Sequence, residues 1–429
     1  MAGNVMRAGD APGQLPAEPR RGRQARGPAG RAAVAAVALA AAFAADARGQ
    51  AADTARTPRL ELYGWVQTDA GYDFGAIDPR YADRLRVSAL PSADGEFGPG
   101  GQTFFSVRQS RGGFRAHVPS GRGGEILVQL EMDLTGSGDD AGKTVPRLRH
   151  AYGELGPVGA GQYWSPFVDP DAAPAIFESF GPIGLPRARN VQLRVMPLRG
   201  ATRITLAVEK PGASAEGGDY ADLVELEDVR LRFRTPEWAA SVRREGGWGH
   251  VQAAGLLRRV WWDDLVEDDV DLSGDATGWG VSLTSALRFG AKNVVRLQYL
   301  AGEGVENYLN DGTADVAPRP DPGRPERPVK GVALPVRSVT GYAEVYRGRW
   351  GAVGGYSLQA VDNAAGQSAT AFARGDYATF TAVYVPVAGL TAAAEYQYGR
   401  RRSADGFASR DHRLQLTLRY AFSADLVVR

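Results

Sequence analysis

The chain has no cysteine among its 429 residues. This absence excludes disulfide frameworks and thiolate metal sites. A chain without thiols is also suited to export through an oxidising periplasm.

Two further absences narrow the class of protein. The sequence has no run of roughly 20 apolar residues, the length that a membrane-spanning helix needs. It also lacks an excess of charge, because 50 Lys and Arg residues balance 49 Asp and Glu residues to a net charge of +1. A nucleic-acid-binding face would make this balance strongly basic, so we expect no nucleic-acid partner. No Pro/Ser-rich linker separates independent cores, which favours one large domain.

Signals for catalysis are also missing. The four histidines lie outside any nucleophile-elbow pattern, and P-loop and dinucleotide fingerprints are absent. The acidic run from Trp262 to Asp271 could be a calcium site, but such runs are more often solvated external loops. The sequence therefore predicts no enzymatic activity, no cofactor and no metal site.

The N-terminus has the pattern of an export signal. Arg20, Arg21, Arg23, Arg26 and Arg31 precede the apolar run Ala32 to Ala45, and Ala45-Asp46-Ala47 offers a cleavage site. We predict a signal peptide over residues 1–47 and a short periplasmic segment over 48–59, with translation starting at Met1 or at Met6. The alternative is a disordered Ala/Arg tail of a cytosolic protein.

Most of the remaining chain alternates between apolar and polar residues. In Leu60 to Phe74, alternate residues form an apolar face and a polar face. The same pattern recurs in Ile126 to Leu134 and in His412 to Phe422. These segments have about the length of a tilted strand that crosses a bilayer. Backbone polar groups in lipid must be satisfied internally, so strands can cross only as a closed barrel.

The connections between these segments alternate between tight turns and long polar loops. Short periplasmic turns and long external loops are typical of bacterial outer-membrane barrels. This assignment predicts an all-β, transmembrane antiparallel β-barrel of about 16 strands over residues 60–422. It requires Leu226 to Glu245 to be one long strand, bent or bulged at Thr235-Pro236.

Five short motifs lie in the predicted strands and at their ends: Leu62–Trp65, Arg108–Arg111, Leu148–Gly153, Ala160–Ser165 and Trp248–Gln252. Together they resemble the DcaP-like trimeric outer-membrane porins, within the Gram-negative general porins. The resemblance covers nearly the whole mature chain. The resemblance implies a homotrimer of sixteen-stranded barrels, each with its third external loop folded into the pore.

The proline-rich segment of about residues 164–189 matches this constriction loop. It carries Asp169, Asp171, Glu178 and Arg187, and its five prolines make another strand improbable. The alternative is an outward surface loop without a role in the pore.

In general porins, wall arginines face acids on this loop, and the resemblance assigns such positions here. The resemblance implies Arg111, Arg149 and Glu131 as pore-lining residues. The alternation of the strands adds inward-facing residues, the basic Arg147, Arg194 and Arg203 and the acidic Asp133. A ring of guanidiniums in a narrow aqueous pore attracts anions and binds carboxylates through two hydrogen bonds. The alternative is that acids across the strands neutralise these arginines.

The sequence thus predicts an outer-membrane porin of a Gram-negative bacterium that passes small hydrophilic solutes passively, with a preference for anions such as dicarboxylates. A non-selective porin and a β-barrel adhesin remain alternatives. Expected partners are the other subunits of a homotrimer, outer-membrane lipid and lipopolysaccharide, small anionic solutes and the barrel-assembly machinery. Such porins usually end at the last aromatic residue, so residues 423–429 are predicted to be a C-terminal tail.

Overall fold

The computed structural model describes residues 57–120, 124–212, 224–226, 228–266, 271–320 and 330–427. The predicted signal peptide, residues 1–47, and residues 48–56 of the predicted periplasmic segment lie outside these ranges. The described residues form strands, short 3-10 turns and loops, without an α-helix. None of the helical turns in these ranges is long and apolar enough to cross a membrane.

The strands form one antiparallel sheet that closes on itself, because β1 pairs with both β3 and β20. Its 18 segments occupy 16 barrel positions, since β2 continues β3 and β9 continues β10. The predicted barrel is therefore confirmed. The segments are β1 (Arg59–Asp73), β2 (Gln102–Ser106), β3 (Arg111–Pro119), β4 (Glu125–Thr135), β5 (Thr144–Leu155), β6 (Val158–Trp164), β7 (Arg189–Arg199), β8 (Thr202–Glu209), β9 (Val229–Arg232), β10 (Glu237–Gly246), β11 (Gly249–Asp264), β12 (Gly274–Phe289), β13 (Asn293–Glu303), β16 (Pro335–Arg347), β17 (Trp350–Val361), β18 (Phe372–Val387), β19 (Leu390–Ser403) and β20 (Ala408–Val427). A separate two-stranded sheet joins β14 (Val316–Arg319) and β15 (Lys330–Ala333).

The strand predicted to bend at Thr235-Pro236 is interrupted there. Segments β9 and β10 both pair with β11, and residues 233–236 between them belong to neither segment. Proline cannot donate a ladder hydrogen bond, which explains why the break falls at this position. Both segments occupy one barrel position, so the even strand number holds.

Side chains alternate between lipid and lumen as the sequence pattern predicts. On β20, Leu414, Leu416 and Leu418 are exposed on the outside, whereas Gln415 and Thr417 are buried on the inside. The buried polar groups bond to one another, for example Thr417 Oγ1 donating to Asp69 Oδ1 at 2.6 Å. The apolar exterior faces lipid, and the polar interior satisfies its hydrogen bonds within the barrel.

The last strand extends further than the sequence pattern indicates. Strand β20 continues to Val427, and Ser423–Val427 pair with Tyr63–Arg59 at the start of β1. The predicted boundary at Phe422 is therefore too early, and described residues of the 423–429 segment belong to the barrel. The reason is that β1 already begins at Arg59, inside the predicted 48–59 segment, and offers a partner for these residues.

The two ends of the barrel differ as predicted. One end carries tight turns such as residues 156–157, 247–248 and 348–349, and the other carries the long connections. By the usual asymmetry of such barrels, the tight end is periplasmic and the other is the outer end. The third connection at the outer end, residues 165–188, is the predicted constriction loop.

Three outer connections fold into the barrel and pack together. They are loop 1 (residues 74–101), loop 3 (165–188) and loop 6 (304–334, described to 320 and from 330). Leu85, Phe167 and Leu309, one from each loop, belong to a single buried apolar cluster. The described part of loop 6 is thus held in the lumen.

Candidate functional site: an arginine-lined constriction

Loop 3 crosses the lumen and is anchored first by Asp169. Its Oδ2 lies 2.8 Å from His250 Nε2 and accepts a hydrogen bond from Thr284 Oγ1 at 2.6 Å. Arg243 donates to the other oxygen at 3.2 Å. Burial disfavours the charged carboxylate, but these hydrogen bonds outweigh it and lower the pKa of Asp169. The start of the loop is therefore fixed to β10, β11 and β12.

Further anchors hold the rest of loop 3 against other strands. Glu395 on β19 accepts hydrogen bonds from the backbone N–H groups of Phe177 at 2.9 Å and Glu178 at 3.1 Å. Ser338 on β16 donates to the carbonyl of Gly184 at 2.7 Å. The loop is thus held as a rigid partition inside the pore.

Loop 6 supports loop 3 through backbone contacts. The N–H of Arg187 donates to the Tyr308 carbonyl at 2.8 Å, and that of Asn310 donates to the Leu185 carbonyl at 2.7 Å. Pro186 and Leu309 form an antiparallel bridge between the loops. The position of Arg187 therefore depends on both loops.

A cavity of about 220 Å³ lies between loop 3 and the barrel wall. It is lined by seven arginines but only two carboxyl groups, those of Asp133 and Glu178, so positive charge is in excess. The seven arginines come from loops 1 and 3 and from β3, β5, β7 and β20; they are Arg84, Arg111, Arg147, Arg149, Arg187, Arg189 and Arg419.

Three of the arginines form a ladder with two acids on β4. Arg149 Nε lies 2.6 Å from Glu131 Oε1, and its Nη1 lies 2.9 Å from Asp133 Oδ2. Arg147 Nη2 lies 2.8 Å from the same Asp133 oxygen, and Arg111 Nη1 lies 3.6 Å from Glu131 Oε1. The structure thus brings together these five predicted residues from neighbouring strands. Two carboxylates balance only part of three guanidiniums.

A β-bulge aims two consecutive side chains of β5 into the lumen. Glu131 pairs with His150 and Met132 pairs with Leu148, so Arg149 is the extra residue. Arg149 and His150 are both buried, although neighbours on a regular strand point to opposite faces. The bulge therefore lets Arg149 reach both acids on β4.

Three lining arginines have no carboxylate partner within the described residues: Arg187, Arg189 and Arg419. Arg187 Nη1 donates to the Ser179 carbonyl at 3.2 Å. Arg419 Nε donates to Gln67 Oε1 at 2.8 Å, and its guanidinium lies 4.9 Å from the Trp65 ring centre. Burial lowers the pKa of Arg187 to about 10, aided by repulsion from Arg149. The side chain therefore stays charged at neutral pH.

Two predicted pore residues lie outside this cavity. Arg194 donates to Gln192 Oε1 at 3.0 Å and stacks over Tyr163. Arg203 lies 3.7 Å from Glu245 near the tight-turn end, and its side chain is half exposed. Both occur on inward-facing positions, but neither lines the narrow cavity described above.

The acids of loop 3 are not arranged as the family pattern implies. Asp169 is an anchor to β11 and β12, and Asp171 lies 2.8 Å from Arg243. Glu178 lines the cavity, but its Oε2 accepts from the backbone N–H of Phe180 at 2.7 Å. Asp169 and Asp171 thus contact residues of β10–β12, and Glu178 accepts a hydrogen bond within the loop. Loop 3 also contributes Arg187 to the cavity, beside the arginines of the barrel wall.

Glu178 makes the charge of the constriction depend on pH. Burial raises its pKa to about 7, against the attraction of Arg413 and the hydrogen bond from the Gly181 N–H. As pH falls through this value the carboxylate becomes neutral, and the cavity loses its negative charge. We expect the anion-to-cation permeability ratio to rise between about pH 8 and about pH 6. Reversal potentials measured across this range test the expectation.

The Glu178→Gln variant should keep the high ratio throughout that pH range. Asp171→Asn is the matched control, because Asp171 is an exposed acid on the same loop outside the cavity. It should retain the pH dependence of the wild type. An unchanged pH response in Glu178→Gln would assign the titration to another group.

Three lining arginines were not selected from the sequence. Arg419 has the inward parity on β20, which was a usable signal, but barrel closure is needed to place it beside Trp65. Arg189 follows two residues after Arg187, at the start of β7. Arg84 lies on loop 1, where no periodic pattern marks an inward residue. Across the described ranges, no group of His, Asp and Glu could hold a metal ion.

Comparisons with known proteins agree with this architecture. A family model described as the DcaP outer membrane protein matches residues 37–311. The crystal structure of the outer membrane channel DcaP of Acinetobacter baumannii superimposes with a TM-score of 0.70 at 22% identity, covering 87% of this chain and 100% of that one.

Other outer-membrane proteins share the fold. OmpT of Vibrio cholerae has a TM-score of 0.52 at 12% identity, covering 86% of this chain and 99% of that one. An anion-selective porin from Comamonas acidovorans has a TM-score of 0.52 at 12% identity, covering 85% and 100%. A search of curated protein sequences finds no match.

Proposed function

The chain belongs to the DcaP outer membrane protein family and is an outer-membrane channel, and we propose that it passes small anions, dicarboxylates among them, by preferential passive diffusion. The observation that carries the proposal is the excess of guanidiniums over carboxylates around the constriction. An anion that passes through a narrow pore loses part of its hydration shell. Fixed positive charge on the pore wall offsets the free-energy cost of that loss.

The unpaired arginines favour carboxylates over other anions. A guanidinium presents parallel N–H groups that match the two oxygens of a carboxylate. Arg187 on loop 3 and Arg419 on the β20 wall, both without a carboxylate partner among the described residues, line the same cavity. A solute with two carboxylates has partners on both sides of the passage. The arginines that pair with Glu131 and Asp133 keep fixed positions, and they contribute to the positive electrostatic potential in the pore.

Transport in this proposal involves no covalent chemistry. Solutes move down their gradient past the constriction, exchanging water for guanidinium contacts and back. Binding must also be weak enough for the solute to be released. The family and the related structures are channels and porins rather than enzymes.

The described part of loop 6 weighs against the adhesin alternative. Tyr308, Leu309 and Val316 are fully buried, so this long connection packs inside the barrel and supports loop 3. A surface-binding role through this loop would need these residues to be available outside. We further propose that three copies assemble side by side, as the family resemblance implies.

A planar bilayer measurement tests the proposal on the purified, refolded protein. Under a salt gradient, the reversal potential should show a higher permeability for chloride than for potassium. The conductance should change in groups of three equal steps, one for each subunit of a trimer. In liposome swelling, a dicarboxylate should enter faster than a diamine of the same length. Equal rates and a reversal potential near zero would instead indicate a non-selective porin.

A further inference from the structure

Outside the lumen, four arginines lie together on the outer half of the barrel exterior. Arg230 and Arg232 are exposed on β9, Arg234 follows in the strand break, and Arg259 is exposed on the neighbouring β11. Strand pairing places Arg232 opposite Trp261, two residues from Arg259. These four residues, which we call the exterior basic cluster, lie at the end of the barrel that carries the long loops.

The exterior basic cluster is only partly neutralised. Asp263 pairs with both Arg232 and Arg234, and Asp275 pairs with Arg259 at 2.5 Å. Arg230 makes no ion pair within the described residues. Four guanidiniums thus share two carboxylate partners, and Arg230 is left able to bind an anion.

Trp261 holds two of these arginines in place. The guanidinium of Arg259 lies 4.5 Å from its ring centre, and that of Arg234 lies 4.9 Å from it. Its indole N–H has no hydrogen-bond partner among the described residues. The charged groups are therefore ordered by the aromatic ring, and about half of each guanidinium side chain remains exposed.

An apolar groove of about 740 Å³ lies on the membrane-centre side of this cluster. Leu257 lies two residues below Arg259 on β11, and the strand pairing aligns it with Trp238 on one side and Trp279 on the other. The floor below this row is formed by the small residues Ala240 and Gly255. Space lies open above Gly255, since an added Cβ there would meet its first neighbour only at 3.9 Å.

We propose that this surface is a binding site for a phosphorylated lipid of the outer leaflet, with its phosphate on the exterior basic cluster and an acyl chain in the groove. Guanidiniums bind phosphate through paired hydrogen bonds, and juxtamembrane basic groups attract anionic lipid headgroups. The basic groups lie at the outer end, so the lipid comes from the outer leaflet. A second copy of the chain fits less well, since it would have to bring acids to these arginines.

Lipid A retention by the delipidated full-length protein tests the site, measured by native mass spectrometry in detergent. Lipid A with two phosphates should bind, and removal of the phosphates should weaken binding at least tenfold, about the effect expected from one or two lost guanidinium contacts. The variant Arg230→Gln/Arg234→Gln/Arg259→Gln should lose affinity on the order of 100-fold, since each basic group near an anionic lipid contributes about fivefold.

The matched control is Arg337→Gln/Arg374→Gln. These exposed arginines also form ion pairs on the exterior, with Asp362 and Asp376, but they lie on β16 and β18 away from the groove. The control should retain lipid A, and both variants should retain wild-type conductance because no substitution lies in the lumen. Equal retention by both variants, or binding indifferent to the phosphates, would overturn the site.

A second variant, Gly255→Leu, tests the groove separately, since it fills the floor without changing charge. It should reduce lipid A retention while the barrel remains resistant to unfolding in detergent at room temperature. If it alters the oligomeric state and leaves lipid A retention unchanged, the groove is a subunit contact and the proposal fails. Because the readout is lipid retention, a failure here leaves the selectivity of the pore untouched.

Discussion

Replacing Arg187, Arg189 and Arg419 together by glutamine should lower the anion-to-cation permeability ratio at least tenfold. These arginines line the constriction, and none has a carboxylate partner among the described residues. At separations of 4–8 Å in water, each charge contributes roughly 0.5–1 kcal/mol to the energy of a passing ion. The measurement is the reversal potential in a planar bilayer under a salt gradient.

Arg203→Gln is the matched control for this triple variant. Arg203 is a lumen arginine near the periplasmic end, already paired with Glu245 at 3.7 Å and outside the narrow cavity. Its loss should change the ratio by much less. If the triple variant and the control behave alike, the constriction does not set selectivity, and a distributed or absent preference replaces the proposal.

Arg258→Ala should destabilise the protein and release loop 6 from the lumen. Arg258 is almost fully buried between Glu237 and Asp315, with Nε 2.9 Å from Glu237 Oε1 and Nη1 2.5 Å from Asp315 Oδ2. Removing it leaves two buried carboxylates without their cation, which typically costs 3–5 kcal/mol. Tyr308 of loop 6 also donates to Glu209 at 3.0 Å, so it belongs to the same network.

The expected results are a lower unfolding temperature in detergent and a larger, noisier conductance, because loop 3 loses the backbone support of Tyr308. Arg259→Ala is the control, since Arg259 is the next residue on β11, faces outward and pairs with a single partially exposed acid. It should leave conductance unchanged. An Arg258→Ala channel with wild-type conductance would show that loop 3 holds its position without loop 6.

The sequence predicted the features that depend on local alternation. The outward leucines of β20 and the inward polar residues beside them follow from a period of two. The grouping of Arg111, Glu131 and Asp133 also follows, because neighbouring antiparallel strands bring inward residues of similar height together. The predicted strand number holds because Thr235-Pro236 carries a recognisable break signal.

Features that depend on contacts between distant segments were not predictable in this way. Arg84 reaches the cavity because loop 1 folds inward, and no periodic signal marks that turn. Asp169 and Glu178 resemble acids that would face the wall, but anchoring hydrogen bonds decide their orientation. The burial of loop 6 depends on the buried contact between Arg258 and Asp315. These two residues lie 57 positions apart in the chain.

The bond between Gln67 and Arg419 joins residues 352 positions apart, on the first and last strands. Such distant pairings form late, because loop-closure entropy delays contacts of large sequence separation. A chain whose seam is still open can already place its leucines in lipid, yet Arg419 is not beside Trp65. The step that closes the barrel therefore also brings Arg419 into the constriction. An incompletely assembled barrel can leak without discriminating between solutes.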